Sequence, residues 1–178
     1  LAVSPLHLVA GVSAIVNGGI YRTPTLIQRS AADTPPGKRV ISEETSLKMR
    51  RLMRLVVKHG TGRNAAAPGY VVGGKTGTAE KVSGRGYKRK ALISSFVAAF
   101  PMHKPRYVVL AMLDEAKGTK ETFGYATGGW VAAPVVGAVV RRIAPVLGLR
   151  PMKDTDAARE ALSIEISSNP GREQRLAS

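Results

Sequence analysis

The chain has 178 residues, 44% of them hydrophobic, which suits one domain, or a large part of one, with a real core. It has no cysteine, which excludes disulfides and thiolate metal sites, and its three histidines (His7, His59, His103) show no metal-ligand spacing. A net charge of +15 favours polyanions or anionic membrane surfaces, but only 5% of residues are aromatic and no helix-turn-helix, zinc or RNA-recognition signature appears, so no nucleic-acid partner is expected.

In chain order, Ser4 and Pro5 open the first predicted helix, as N-cap and first helical residue. Leu6, Leu8, Val9, Val12, Ile15 and Val16 supply its apolar positions, and Asn17-Gly18-Gly19 stops it. Residues 20–27 read as a short extended piece, which Pro24 confines to an edge or an irregular strand. A polar loop follows over 30–39. Ser42-Glu43-Glu44 opens a second helix, with acids in its first turn and Lys58-His59 in its last, as the helix dipole favours. Leu47, Leu52, Leu55 and Val56 are its predicted apolar face, and Arg50, Arg51 and Arg54 its wet side. Gly60-Thr61-Gly62 ends it.

Three strand-like runs come next, at 70–82, 91–100 and 107–113. The connections, 83–90 and 101–105, are too short for parallel crossovers, so antiparallel neighbours are expected. A Gly-rich loop over 114–129 leads into a helix from about 129 to 147, whose Arg141 and Arg142 make it a core-packing helix rather than a membrane span. Residues 150–178 are predicted to be a polar, mostly disordered tail, with one helical turn around 157–162. The expected fold is α/β of the α+β kind, an antiparallel sheet flanked by helices. Charge is uneven: residues 75–106 hold eight Lys or Arg against one acid, and 151–178 hold four against five.

The most informative stretch is Lys75-Thr76-Gly77-Thr78. Lysine supplies a positive charge, the threonines supply hydroxyl donors, and glycine lets a ligand approach the backbone, which suits a strand edge handling an anionic acyl substrate. A competing pattern overlaps it, because Gly69 through Gly74-Lys75-Thr76 satisfies the phosphate-loop spacing. That motif needs a strand before the first glycine and a helix at the lysine. Here Ala-Ala-Ala-Pro68 precedes Gly69, Tyr70, Val71 and Val72 sit inside the supposed loop, and Thr-Gly-Thr is a poor helix start. The strand reading prevails.

Lys-Thr-Gly is one of three motifs that penicillin-binding and β-lactamase serine acyl-transferring enzymes gather round a catalytic serine. With Ser4-Pro-Leu-His-Leu through Asn17-Gly-Gly-Ile-Tyr-Arg, and Gly124-Tyr-Ala-Thr-Gly-Gly129 through Ala132-Ala-Pro-Val, it makes residues 1–149 resemble the C-terminal half of a class B penicillin-binding transpeptidase domain. Within that class the likeness is to division-specific (septal) peptidoglycan D,D-transpeptidases. The resemblance implies that Lys75 organises the hydrogen bonds around the nucleophile. It implies that Thr76 and Thr78 bind the carboxylate of a D-Ala-D-Ala stem peptide or a β-lactam, and that Gly77 lets the substrate lie against the strand. The Thr78 backbone N–H becomes an oxyanion-hole donor. Lys75 and the threonines could instead be ordinary strand residues, but the flanking agreement favours the functional reading. Tyr87, and equally Tyr125 and Thr127, either line the mouth of the cleft or belong to plain surface loops; both readings stand.

The chain departs from the family pattern in two places. No serine begins a Ser-x-x-Lys, and the one Ser-x-Asn match, Ser167-Ser168-Asn169, lies far downstream in the tail, where it reads as coincidence. The nucleophile and general base are therefore expected upstream of Leu1, in a longer protein whose C-terminal piece this is. The third strand is expected to pair with strands from that earlier sequence. The resemblance further implies no cofactor and no metal, an inner-membrane anchor, a periplasmic location in the bacterial envelope, and membrane-protein partners in the division complex. Two alternatives remain at this stage. One is an elongation-type transpeptidase, D,D-carboxypeptidase or β-lactamase of the same superfamily, and the other a non-enzymatic basic module binding polyanions.

Overall fold

A computed structural model describes residues 3–30, 32–83, 86–152 and 162, and the side chains of 82–90 fall outside the description. Helix α1 (Pro5–Val16) starts where Ser4 Oγ accepts from the His7 N–H, and ends at Asn17. Gly18 and Gly19 follow at φ +96° and +90°, a region that favours glycine, and a Cβ on Gly19 would collide with the Ile41 carbonyl. The Gly18 N–H donates to Ser46 Oγ at 3.0 Å, which fastens the end of α1 to helix α2 (Glu43–Lys58). Between the helices, β1 (Ile20–Tyr21) and β2 (Lys38–Arg39) form a two-residue antiparallel ribbon. The predicted extended piece is thus paired only at its start, before Pro24.

The apolar face of α2 differs from expectation. Ser46, Met53 and Val57 are buried, whereas Leu52 is 49% exposed. The arginines are not merely a wet side: Arg50 donates to the His103 carbonyl at 3.2 Å and Arg54 to the Val72 carbonyl at 2.8 Å. That second bond explains another difference. Val71 and Val72 are fully buried but lie ahead of strand β3 (Gly73–Ser83), because Gly69, at φ +85°, turns the chain and the Val72 carbonyl is bonded to Arg54.

Strands β3, β4 (Gly86–Phe100) and β5 (Tyr107–Asp114) form an antiparallel sheet in that order. The first hairpin is longer than predicted, since β4 absorbs most of the expected connection and pairs Ser83 with Gly86, with an irregularity between Glu80 and Val82. Both faces of β4 are covered, so residues 96–100 are all buried rather than alternating. Phe96, Ala98 and Phe100 meet Ala133, Val136, Val140 and Ala144 of α4 (Ala133–Val146), while Val97 and Ala99 meet Val12, Val16 and Met53 of α1 and α2.

The predicted last helix is broken. A short α3 (Gly128–Val131) is separated from α4 by Ala132, and Pro134 in the first turn of α4 has no N–H to continue the ladder. Together α3 and α4 are long and apolar enough to cross a membrane by composition, but the buried stripe Val136, Val140 and Ala144 marks a core helix, as expected. Of the predicted tail, Leu162 is buried against the α1/α2 layer. Its remainder beyond Met152, including Ser167-Ser168-Asn169, lies outside the described residues.

Candidate active site

Directly opposed residues of antiparallel strands share a face. Thr76 opposes Phe96 and Thr78 opposes Ser94, so both threonines point to the α4 side. Lys75 opposes Val97 and Gly77 opposes Ser95, so these belong to the α1/α2 side. Among the described residues β3 pairs only with β4, which leaves its other edge open along Lys75-Thr76-Gly77-Thr78. A strand through Lys75 and Thr76, with no helix starting there, rules out the phosphate-loop arrangement.

The polar side chains on this edge are held from neighbouring elements. Lys75 Nζ folds back to donate to the Thr76 carbonyl at 2.8 Å, with Thr76 Oγ1 at 3.4 Å. Thr61 Oγ1, in the turn after α2, lies 3.2 Å from Thr76 Oγ1. The Gly128 N–H donates to Thr78 Oγ1 at 3.1 Å, which occupies one acceptor position and leaves the hydroxyl proton to donate elsewhere. Ser95 Oγ reaches the Gly77 carbonyl at 3.5 Å, and a Cβ on Gly77 would sit 2.5 Å from that oxygen. Glycine at 77 is therefore required by packing. The result is an exposed ammonium and two exposed or half-exposed hydroxyls on one open strand edge.

The turn beside it is closely fitted. A Cβ on Gly128 would collide with the Ser95 carbonyl and lie 2.6 Å from the Gly77 carbonyl, and one on Gly129 would strike the Thr61 carbonyl. Ser94 Oγ donates to the Ala126 carbonyl, and Asn64 Nδ2, in a 3-10 turn (Arg63–Ala65), donates to the Gly129 carbonyl at 2.9 Å. Thr127 N-caps α3 without a side-chain bond and lines a cleft of about 500 Å³ with His59, Thr61, Asn64 and Trp130. Tyr125 is exposed and stacks on Trp130, 5.7 Å between centroids at 14°, while Phe123 meets the same ring edge-on at 5.6 Å. The Tyr87 side chain lies outside the described residues; its backbone pairs with Val82 in the hairpin.

At the far end of the edge, Lys81 bonds Asp114 at 3.0 Å and Glu115 at 3.1 Å, joining β3 to the end of β5. Those two hydrogen bonds hold the Lys81 ammonium above the ordinary lysine range. Among the described residues no three His, Cys, Asp or Glu side chains gather as metal ligands. Sequence reasoning missed Thr61, Asn64, Ser95 and Gly128 as parts of the site. The sequence marks Thr61 only as part of a helix stop, since its partner is 15 positions on and no local pattern links the two.

The model of the penicillin binding protein transpeptidase domain matches residues 1–141. The chain belongs to that family, and its likeness is to class B members. It is 46% identical over 157 residues to a "Probable peptidoglycan D,D-transpeptidase FtsI" of Caulobacter vibrioides, covering 83% of this chain and 27% of that protein. It is 42% identical over 164 residues to "Stage V sporulation protein D" of Bacillus subtilis, covering 86% of this chain and 25% of that one. The solved transpeptidase domain of Burkholderia pseudomallei penicillin-binding protein 3, an apo structure, superposes with a TM-score of 0.75 at 39% identity, over 85% of this chain and 44% of that one. The chain thus spans about a quarter of the length of these curated relatives.

Proposed function

We propose that this chain supplies the Lys-Thr-Gly wall of a peptidoglycan D,D-transpeptidase that cross-links stem peptides during septal wall synthesis and is acylated by β-lactams. The supporting observation is the open β3 edge, on which Lys75, Thr76 and Thr78 present donors oriented by Thr61 and Gly128. A serine contributed by upstream sequence attacks the carbonyl of the penultimate D-Ala, with the stem laid along the edge as an added strand. The Thr78 N–H donates to the developing oxyanion, a contribution worth about 3 kcal/mol per donor in a serine protease. Thr76 and Thr78 hydroxyls and the Lys75 ammonium hold the terminal carboxylate. The C–N bond breaks, the leaving amine takes a proton, and D-Ala departs. An amine of a neighbouring stem then attacks the acyl-serine, loses a proton and frees the serine. Tyr125 and Thr127 flank the mouth of this cleft. The setting is the periplasmic side of the bacterial envelope, with membrane-anchored division proteins as partners.

The test is covalent labelling by a fluorescent penicillin. The protein expressed from its complete gene is expected to be labelled on a serine upstream of Leu1. These 178 residues alone, which contain no Ser-x-x-Lys, are expected to stay unlabelled. Labelling of the fragment would contradict the assignment of its role, and failure of the complete protein to label would contradict the enzyme reading.

A further inference from the structure

The Gly128 N–H occupies one acceptor position of Thr78 Oγ1 and so restricts the directions its hydroxyl proton can take, and whatever places that N–H tunes the site. Gly128 belongs to α3, a helix of four residues that cannot fix its own position. On one side it is wedged against the Gly77 and Ser95 carbonyls of the sheet. Its flanking carbonyls are each caught by a side chain: Ala126 by the fully buried Ser94, and Gly129 by Asn64 Nδ2 at 2.9 Å. Ser94 comes from the sheet itself, whereas Asn64 reaches in from the separate turn after α2, which also carries Thr61 against Thr76.

We propose that Asn64 is a positioning residue for acyl transfer: by holding the Gly129 carbonyl it keeps the Gly128 N–H on Thr78 and so aims the Thr78 hydroxyl at the anionic end of the substrate. The proposal rests on the transpeptidase reading. It also couples the two threonines, because one short segment, Thr61 to Asn64, orients Thr76 directly and Thr78 through the turn. Asn64→Asp keeps the shape of the side chain but replaces the amide donor with a carboxylate oxygen facing a carbonyl.

The experiment measures the acylation efficiency of the complete protein with a fluorescent penicillin in a double-mutant cycle. Asn64→Asp is expected to lower it about fivefold to tenfold, the worth of one neutral hydrogen bond lost in the reacting geometry. In a Thr78→Val background the same change is expected to cost less than about twofold, because its target hydroxyl is gone. Equal losses in both backgrounds, or no loss in the first, overturn the proposal while leaving the enzyme reading intact. An unlabelled wild type overturns both. Amide hydrogen exchange decides the matter if Thr78→Val is too slow to follow: Asn64→Asp is expected to speed exchange at residues 126–130 with β4 unchanged, and unchanged exchange there refutes it.

Discussion

Among the described residues the sheet has two edge strands, β3 and β5, and they are built for opposite ends. Along β3 the exposed residues are Lys75, Thr78, Ala79 and Glu80, with hydroxyls and ammonium held by bonds from other elements. Along β5 the sequence Tyr-Val-Val-Leu-Ala is half-buried and apolar, Met112 is 46% exposed, and the strand pairs only with β4 among the described residues. A polar edge with restrained donors suits a ligand that adds as a strand and leaves again. An apolar edge suits permanent pairing with further strands.

Breaking the ligand edge gives the largest expected effect. Lys75→Met in the complete protein should lower penicillin acylation by about 10–100-fold, the worth of a charge-assisted hydrogen bond, and leave the melting temperature within about 2 °C because the side chain is exposed. A stopped-flow or gel time course with a parallel melt checks both halves. Thr61→Val should act in the same direction but less, about threefold to tenfold, by loosening Thr76.

The other edge is tested in the isolated chain. Sedimentation should find it self-associating at micromolar concentration, with Met112→Lys reducing that association because a charge blunts an edge. A cooperative, monomeric melt of the unaltered fragment would show that β5 is not an edge in need of pairing. The smallest effect belongs to Lys81. Its raised pKa means its share of stability is fully present below the ordinary lysine value, about 10.4, and is lost as pH rises through the folded value. The melting difference between wild type and Lys81→Met should therefore be slight at neutral pH and vanish in strong alkali. A difference that grows with pH would show that Asp114 and Glu115 do not stabilise the charged lysine.

Local chemistry was readable in the sequence. Ser4-Pro5 and Ser42 cap their helices as expected, and Lys75 to Thr78 lie on a strand, because each depends on residues a few positions away. Tertiary partners were not readable. Val71 and Val72 have strand propensity, yet Arg54 takes the Val72 carbonyl; Leu52 fits a helical stripe, yet α2 turns Met53 and Val57 inward. The break at Ala132 had a local signal in Pro134, whose missing N–H cannot continue the ladder from α3, whereas the wedging of Gly128 against β3 and β4 had none. The motif itself was legible, whereas the residues that orient its hydroxyls come from two distant turns.

The most direct measurement is a crystal structure of the complete protein acylated by a penicillin. The ligand carboxylate is expected within hydrogen-bond distance of the Thr76 and Thr78 hydroxyls, with its acyl carbonyl oxygen on the Thr78 N–H. A ligand acylated on the serine but lying away from the β3 edge, with its carboxylate on other residues, would contradict it.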